Sequence, residues 1–119
     1  MTLSLSRLAD AVLIERFRNA ARDLGDAVVD WMPAERKANR LFAIKQEVRR
    51  RGHESRLKLA ILLDDNDRFV RYYAAKELFG LFPQKCRLIV EENTREFDAL
   101  MGDARHFLRA IDEGTYKPQ

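Results

Sequence analysis

His53 and Ser55 stand two positions apart and are, by type, a base and a nucleophile. A hydrolytic triad needs serine, histidine and an acid to converge in space, and nearness along the chain does not supply that convergence. The other histidine, His106, falls beside the apolar stripe of the last helical segment and reads as a boundary residue. Asp64, Asp65 and Asp67 crowd together and are oxygen donors of the kind calcium takes. The calcium-loop pattern is missing, because no glycine makes the turn and no glutamate closes it, so capping of the next helix is their expected role. Cys86 lies on an amphipathic segment, where a small core residue is the expected reading. Glu91 and Glu92 are adjacent, so a helix points them to different faces and paired-carboxylate chemistry is not expected of them. The expectation is a protein without catalytic residues, metal or cofactor, and not an enzyme.

Charge is where the chain is uneven. The formal net charge is only +3, yet nine lysines and arginines and only two glutamates fall within residues 36–58. The stretches on either side are each slightly acidic. On a helical wheel Arg36, Arg40, Arg50 and Arg51 gather away from Leu41, Ile44 and Val48, with Glu47 among them. A solvated helix face is the plain reading of such a run. The functional reading is an anionic partner, either an acidic protein or a nucleic acid.

The elements that must position these residues are helical. The chain has 119 residues, 46% hydrophobic and 34% charged, with 5 glycines and 3 prolines. That length fits one domain over 1–119, with 114–119 as a tail, and that composition argues against a turn-rich β architecture. A single cysteine excludes an intramolecular disulfide and fits a reducing compartment. Arg7, Asp10 and Glu15 interrupt the apolar residues at the N-terminus, so no signal peptide is expected there. No apolar run is long enough to span a bilayer, and the expected location is the cytoplasm, away from membranes.

Six helical segments follow from periodicity and breaks. The first covers about 6–31, capped by Ser6, with Ile14, Phe17, Ala21, Leu24, Val28 and Trp31 on one stripe and a possible kink at Gly25. The second spans about 34–51 after Pro33, with Ala34, Ala38, Leu41, Ile44 and Val48 inward, three arginines at its end and Gly52 as terminator. The third, about 54–63, is apolar nearly all round through Leu57, Leu59, Ala60, Ile61, Leu62 and Leu63, and is expected to be the most buried. Asn66 or Asp67 caps the fourth, which runs to about 82 with Val70, Tyr73 or Ala74, Leu78 and Leu81 inward. The fifth covers about 84–93 with Cys86, Ile89 and Val90 inward. The sixth covers about 95–112 with Phe97, Leu100, Met101, Ala104, Phe107, Leu108 and Ile111 on its stripe and Gly114 closing it.

The run Leu62-Leu63-Asp64-Asp65-Asn66-Asp67-Arg68-Phe69-Val70-Arg71, followed by Ala74, Ala75 and Leu78, resembles a HEAT-like helical repeat. The leucines close one helix, the acidic turn caps the next, Val70 enters the core, and the alanines let two helices approach closely. Arg71 is placed to reach back to Asp65 or to a neighbouring turn. With Lys37-Ala38-Asn39-Arg40 in the second helix, the 83–91 helix and the ending from Phe97 to Tyr116, the chain resembles a bacterial family of short HEAT-like domains, the domain of unknown function 2019. The resemblance implies an all-α fold of about six helices stacked as antiparallel pairs in an α-α superhelix of the HEAT or armadillo type. It implies no activity.

If the helices pair first with second, third with fourth and fifth with sixth, the second members line a concave face. On that arrangement the face offers Arg36, Arg40, Tyr72, Lys76, Arg105 and Arg109. The expected function is then protein–protein binding through a helical-repeat surface, with an acidic protein as partner. Nucleic-acid binding through the basic 36–58 hairpin is the alternative, and a small enzyme of unknown class a second one. Self-association as a homodimer is open as well, because the ends of a short repeat stack are exposed.

Overall fold

The computed structural model describes residues 4–25 and 32–119. A 3-10 turn at Leu5–Arg7 precedes six α-helices: α1 (Asp10–Gly25), α2 (Ala34–Arg51), α3 (His53–Lys58), α4 (Arg68–Leu78), α5 (Pro83–Asn93) and α6 (Ala99–Glu113). A 3-10 segment, Leu59–Asp64, continues α3. Among the described residues there is no strand, and the fold is all-α as expected. Ser6 does not cap α1; it sits inside the first 3-10 turn, and the helix opens at Asp10. Val28 and Trp31 of the predicted stripe lie outside the described residues.

Each helix forms because an apolar stripe coincides with a usable start and stop. In α1 the buried residues are Leu13, Phe17, Ala20 and Ala21, spaced to lie on one face. Gly25 at its end is required by proximity. A β-carbon there would come within 2.5 Å of the Phe69 ring on α4. In α2, Leu41, Ile44 and Val48 face inward as expected, whereas Ala34 and Ala38 are exposed and the stem of Lys37 is covered instead. Gly52 ends α2 with φ at 99°, a conformation that disfavours side chains. Asp67 caps α4, its carboxylate accepting from the Val70 amide at 3.0 Å. Asp98 caps α6 in the same way, accepting from Leu100 N, and Gly114 closes that helix at φ 74°.

Three boundaries differ from expectation. Residues 54–63 are not one helix buried all round. At Leu59 the winding tightens to 3-10, which aligns Leu59 and Leu62 inward and leaves Ile61 72% exposed. Helix α4 ends at Leu78 rather than near residue 82, because Leu81 and Phe82 both turn back onto the Leu78 carbonyl. Helix α6 starts at Ala99 rather than near 95, because capping by Asp98 holds the preceding residues outside it. Phe97, assigned to the inward stripe, is 93% exposed.

Helix α1 packs on both α2 and α4, the 3-10 segment packs on α4, and α5 joins α4 to α6. Ala20 and Ala21 of α1 and Ala74 and Ala75 of α4 are all fully buried, so the α1–α4 approach can be close. Val70, Leu78, Cys86, Val90, Leu100 and Ala104 carry the same core through the later helices. No helix among the described residues is long and apolar enough to cross a membrane.

Candidate functional site

The residues singled out for chemistry are held mostly by one another. The Ser55 hydroxyl donates to Asp10 at 3.0 Å. Asp10 also accepts from Arg51 at 2.9 Å and Lys58 at 2.8 Å. These donors, Lys58 first, hold its carboxyl well below the ordinary carboxylate range. The acidic turn is divided among separate tasks. Asp67 caps, Asp65 accepts from Arg18 at 2.7 Å and from the Asp67 amide, and Asp64 pairs with Lys85. Arg71 reaches back as expected, but to the Asp65 and Asn66 carbonyls, and on to Glu92. Cys86 is buried, and burial pushes its thiol up to about 12.

Arg40, Arg49, Arg50, Arg51 and Lys58 of the basic hairpin are ion-paired, some within the hairpin and some from other helices. Arg40 pairs with Asp23 of α1 at 3.0 Å, and Arg49 pairs with Glu77 of α4. Arg50 and Arg51 converge on Glu47, and their hydrogen bonds bring its carboxyl from 4.5 down to about 2. Arg51 also reaches Asp10 and the Leu5 carbonyl and is nearly covered. The sequence excess of positive charge is therefore not a free positive field. Glu47 supplies part of its counter-charge from α2 itself, and Asp10, Asp23 and Glu77 supply more from α1 and α4.

What the fold does assemble is a groove of about 460 Å³ to which α2, α4 and α6 all contribute. Its helical lining residues come from the three helices expected to share a face. Its lining differs from expectation. Lys76 lines it, but Arg36, Arg40, Arg50, Arg51, Arg105 and Arg109 do not. Tyr72, expected on the accessible face, is fully buried, and only its hydroxyl works at the edge of the groove, donating to Asp103. Arg105 donates to the Thr94 carbonyl at 3.2 Å, and Arg36 and Arg109 are exposed elsewhere.

Lys45 and Arg49 enter the groove from α2, Lys76 and Glu77 from α4, and Asp103, His106, Phe107 and Ala110 from α6, with Thr115 and Tyr116 closing one side. Glu77 has 1% of its side chain exposed and receives both Arg49 nitrogens at 2.6 and 2.7 Å, a bidentate pair. Lys76 donates to Asp103 at 2.9 Å and lies over the Tyr72 and Phe107 rings at 5.6 and 5.4 Å. Burial works against ionisation of Asp103, but the Tyr72 and Lys76 hydrogen bonds outweigh it and hold the carboxyl below its usual range. Phe107 packs edge-on to Phe79 and tilted against Tyr116, making an aromatic wall. Lys45 differs from the other two cations. Among the described residues it has no ion pair, and burial followed by the charge of Lys76 lowers its pKa.

Sequence reasoning missed Lys45, Arg49, Glu77, Asp103, His106, Phe107 and Tyr116 as groove residues. Glu77 carried a signal, since it is an acid set among the inward positions Ala74, Ala75 and Leu78 of α4. Lys45 and Asp103 carried none, because each is an ordinary charged residue beside an apolar stripe.

A second groove, about 610 Å³, lies between α1 and the 3-10 segment, with Ile14, Ile61 and Leu62 in its floor. Its rim charges are paired with each other, Lys58 with Asp10 and Arg18 with Asp65.

No family model and no curated protein matches the chain. Among solved structures it is similar to the crystal structure of the protein RPA1889 from Rhodopseudomonas palustris CGA009, with a TM-score of 0.83 and 26% sequence identity over 99% of this chain and 100% of that one. The likeness therefore spans the whole fold.

Proposed function

We propose that the chain is a non-enzymatic, HEAT-like protein-binding module of the cytoplasm that engages an acidic partner through the α2/α4/α6 concavity. The observation that carries this reading is the groove itself, where α2, α4 and α6 bring cations and an aromatic wall to one place. Helical repeats bind through such concave faces, and aromatic and cationic residues are the groups enriched at binding hot spots. The ion pairing of Arg40, Arg49, Arg50 and Arg51 works against the nucleic-acid alternative, since a phosphate backbone needs cations free to replace its counterions.

The test is capture of partners on the immobilised chain, comparing wild type with Lys45→Glu and with an Arg36→Glu/Arg109→Glu double variant. Partners should be lost from the first and kept by the second, with circular dichroism showing both folded. Recovered proteins that ignore Lys45→Glu would defeat the reading. Release whose dependence on salt is as steep as that of a phosphate-backbone binder would replace it with the nucleic-acid one.

A further inference from the structure

We propose that Lys45 anchors a single carboxylate side chain of an extended partner segment that has a large apolar residue on each side of the acid. This deepens the reading of the α2/α4/α6 groove as a protein-binding surface and rests on it.

Three observations on Lys45 lead there. The first is position. Lys45 lines the 460 Å³ groove and also a shallower one of about 290 Å³ on the other side, whose walls include Leu24, Phe42 and Tyr73. It therefore stands between the two grooves, as a wall of both. Phe107 and Tyr116 lie to one side and Phe42 and Tyr73 to the other. Phe42 is 56% exposed, an aromatic ring with unused surface at the far end. A segment crossing Lys45 meets the Phe107 and Tyr116 wall of the otherwise charged main groove on one side, then the cation, then the largely apolar groove of Leu24, Phe42 and Tyr73 on the other.

The second is charge. The cations of the main groove are Lys45, Arg49 and Lys76, and its acids are Glu77 and Asp103. Arg49 is engaged with Glu77 and Lys76 with Asp103, which leaves the Lys45 ammonium uncompensated among the described residues. One positive charge unpaired among the described residues suits one negative charge. A phosphate dianion would gain Lys45 but meet Glu77 and Asp103 close by, and like charges at short range in a half-buried site repel strongly. A carboxylate restores neutrality without that excess.

The third is desolvation. Burial disfavours the charged form of Lys45, and the Lys76 charge adds to this. A carboxylate set against it removes the penalty, so the ammonium is worth more to a ligand here than on an open surface. Binding must then raise the Lys45 titration midpoint, a consequence that purely apolar docking would not produce.

The experiment titrates the isotope-labelled 119-residue chain, by NMR, with an end-blocked peptide carrying one glutamate between a tryptophan and a leucine. Its glutamine counterpart and inorganic phosphate are the comparisons. The glutamate peptide should shift signals at Lys45, Phe107 and Phe42, bind about tenfold tighter than the glutamine peptide, and raise the Lys45 midpoint. Lys45→Met should erase the preference for glutamate and Lys45→Arg should keep most of it, with both variants retaining the wild-type helical spectrum. Equal binding of the two peptides in the two grooves, or a preference that survives Lys45→Met, overturns carboxylate anchoring. The module reading would then stand if partner capture still falls with Lys45→Glu. Saturable binding of phosphate alone at Lys45, or no shift in either groove at millimolar peptide, overturns it too. If capture also ignores Lys45→Glu, both readings fall together.

Discussion

Glu47 shows how a single residue can carry a pH dependence. Its carboxylate lies beneath Arg50 and Arg51, and those donors bring its pKa to about 2 in the folded chain. A depressed carboxylate contributes stability above its unfolded pKa of about 4.3, and that contribution is lost as pH falls toward the folded value. Asp10 is displaced in the same direction by Lys58, Arg51 and Ser55, so the two act together. Urea unfolding measured from about pH 6 down to pH 2 should show stability falling across that window, and Glu47→Gln should make the fall shallower. An unchanged slope would mean the two guanidinium groups contribute nothing net at Glu47. Glu47 was legible only as a dilution of the basic face. That it organises the arginines follows from spacings of three and four residues along α2, which the sequence does contain.

Helices are decided by their ends as much as by their stripes. Asp67 and Asp64 are three residues apart and identical in type, yet only Asp67 caps α4. Asp64 forms an exposed pair with Lys85. Asp67→Ala should therefore cost about 1 kcal/mol and Asp64→Ala less than about 0.5 kcal/mol, compared by chemical denaturation under identical conditions. Equal losses would show that the turn is stabilised by its total charge and not by the Val70 amide. The limits of α2 and α5 could be read from proline, glycine and the terminal arginines, because those residues act locally. The Leu59–Asp64 segment could not. Five apolar residues in a row satisfy several windings equally, and packing against α4 selects the one seen.

On the scale of the molecule, the last residues tie the groove together. Arg56 donates to the Glu77 carbonyl at 3.0 Å and to the Gln119 carbonyl at 2.8 Å, while Tyr116 rests against Phe107. Gly80, in the turn after α4, has no side chain where the tail passes. A β-carbon there would lie 2.0 Å from the Gln119 oxygen. Gly80→Val should leave the six helices intact by circular dichroism and release the tail, seen as a drop in the heteronuclear NOE at Tyr116 and Lys117. A tail still ordered in that variant would mean the turn, not the tail, gives way. Tyr116 is also a wall of the groove, so the same substitution removes part of the proposed binding surface without touching Lys45.

Sequence alone determined the all-α class, most inward faces of the described helices, a cap for α4 at Asn66 or Asp67, and the stops at Gly52 and Gly114, because each depends on residues within about one or two helical turns. Tertiary structure decided which charges remain available. Asp23 and Asp10 of α1 and Glu77 of α4 neutralise Arg40, Arg51 and Arg49 from across the fold, while Lys45 is left without a counter-ion among the described residues. Coulomb energy depends on distance and burial in space, and neither is encoded in the spacing of charges along one helix.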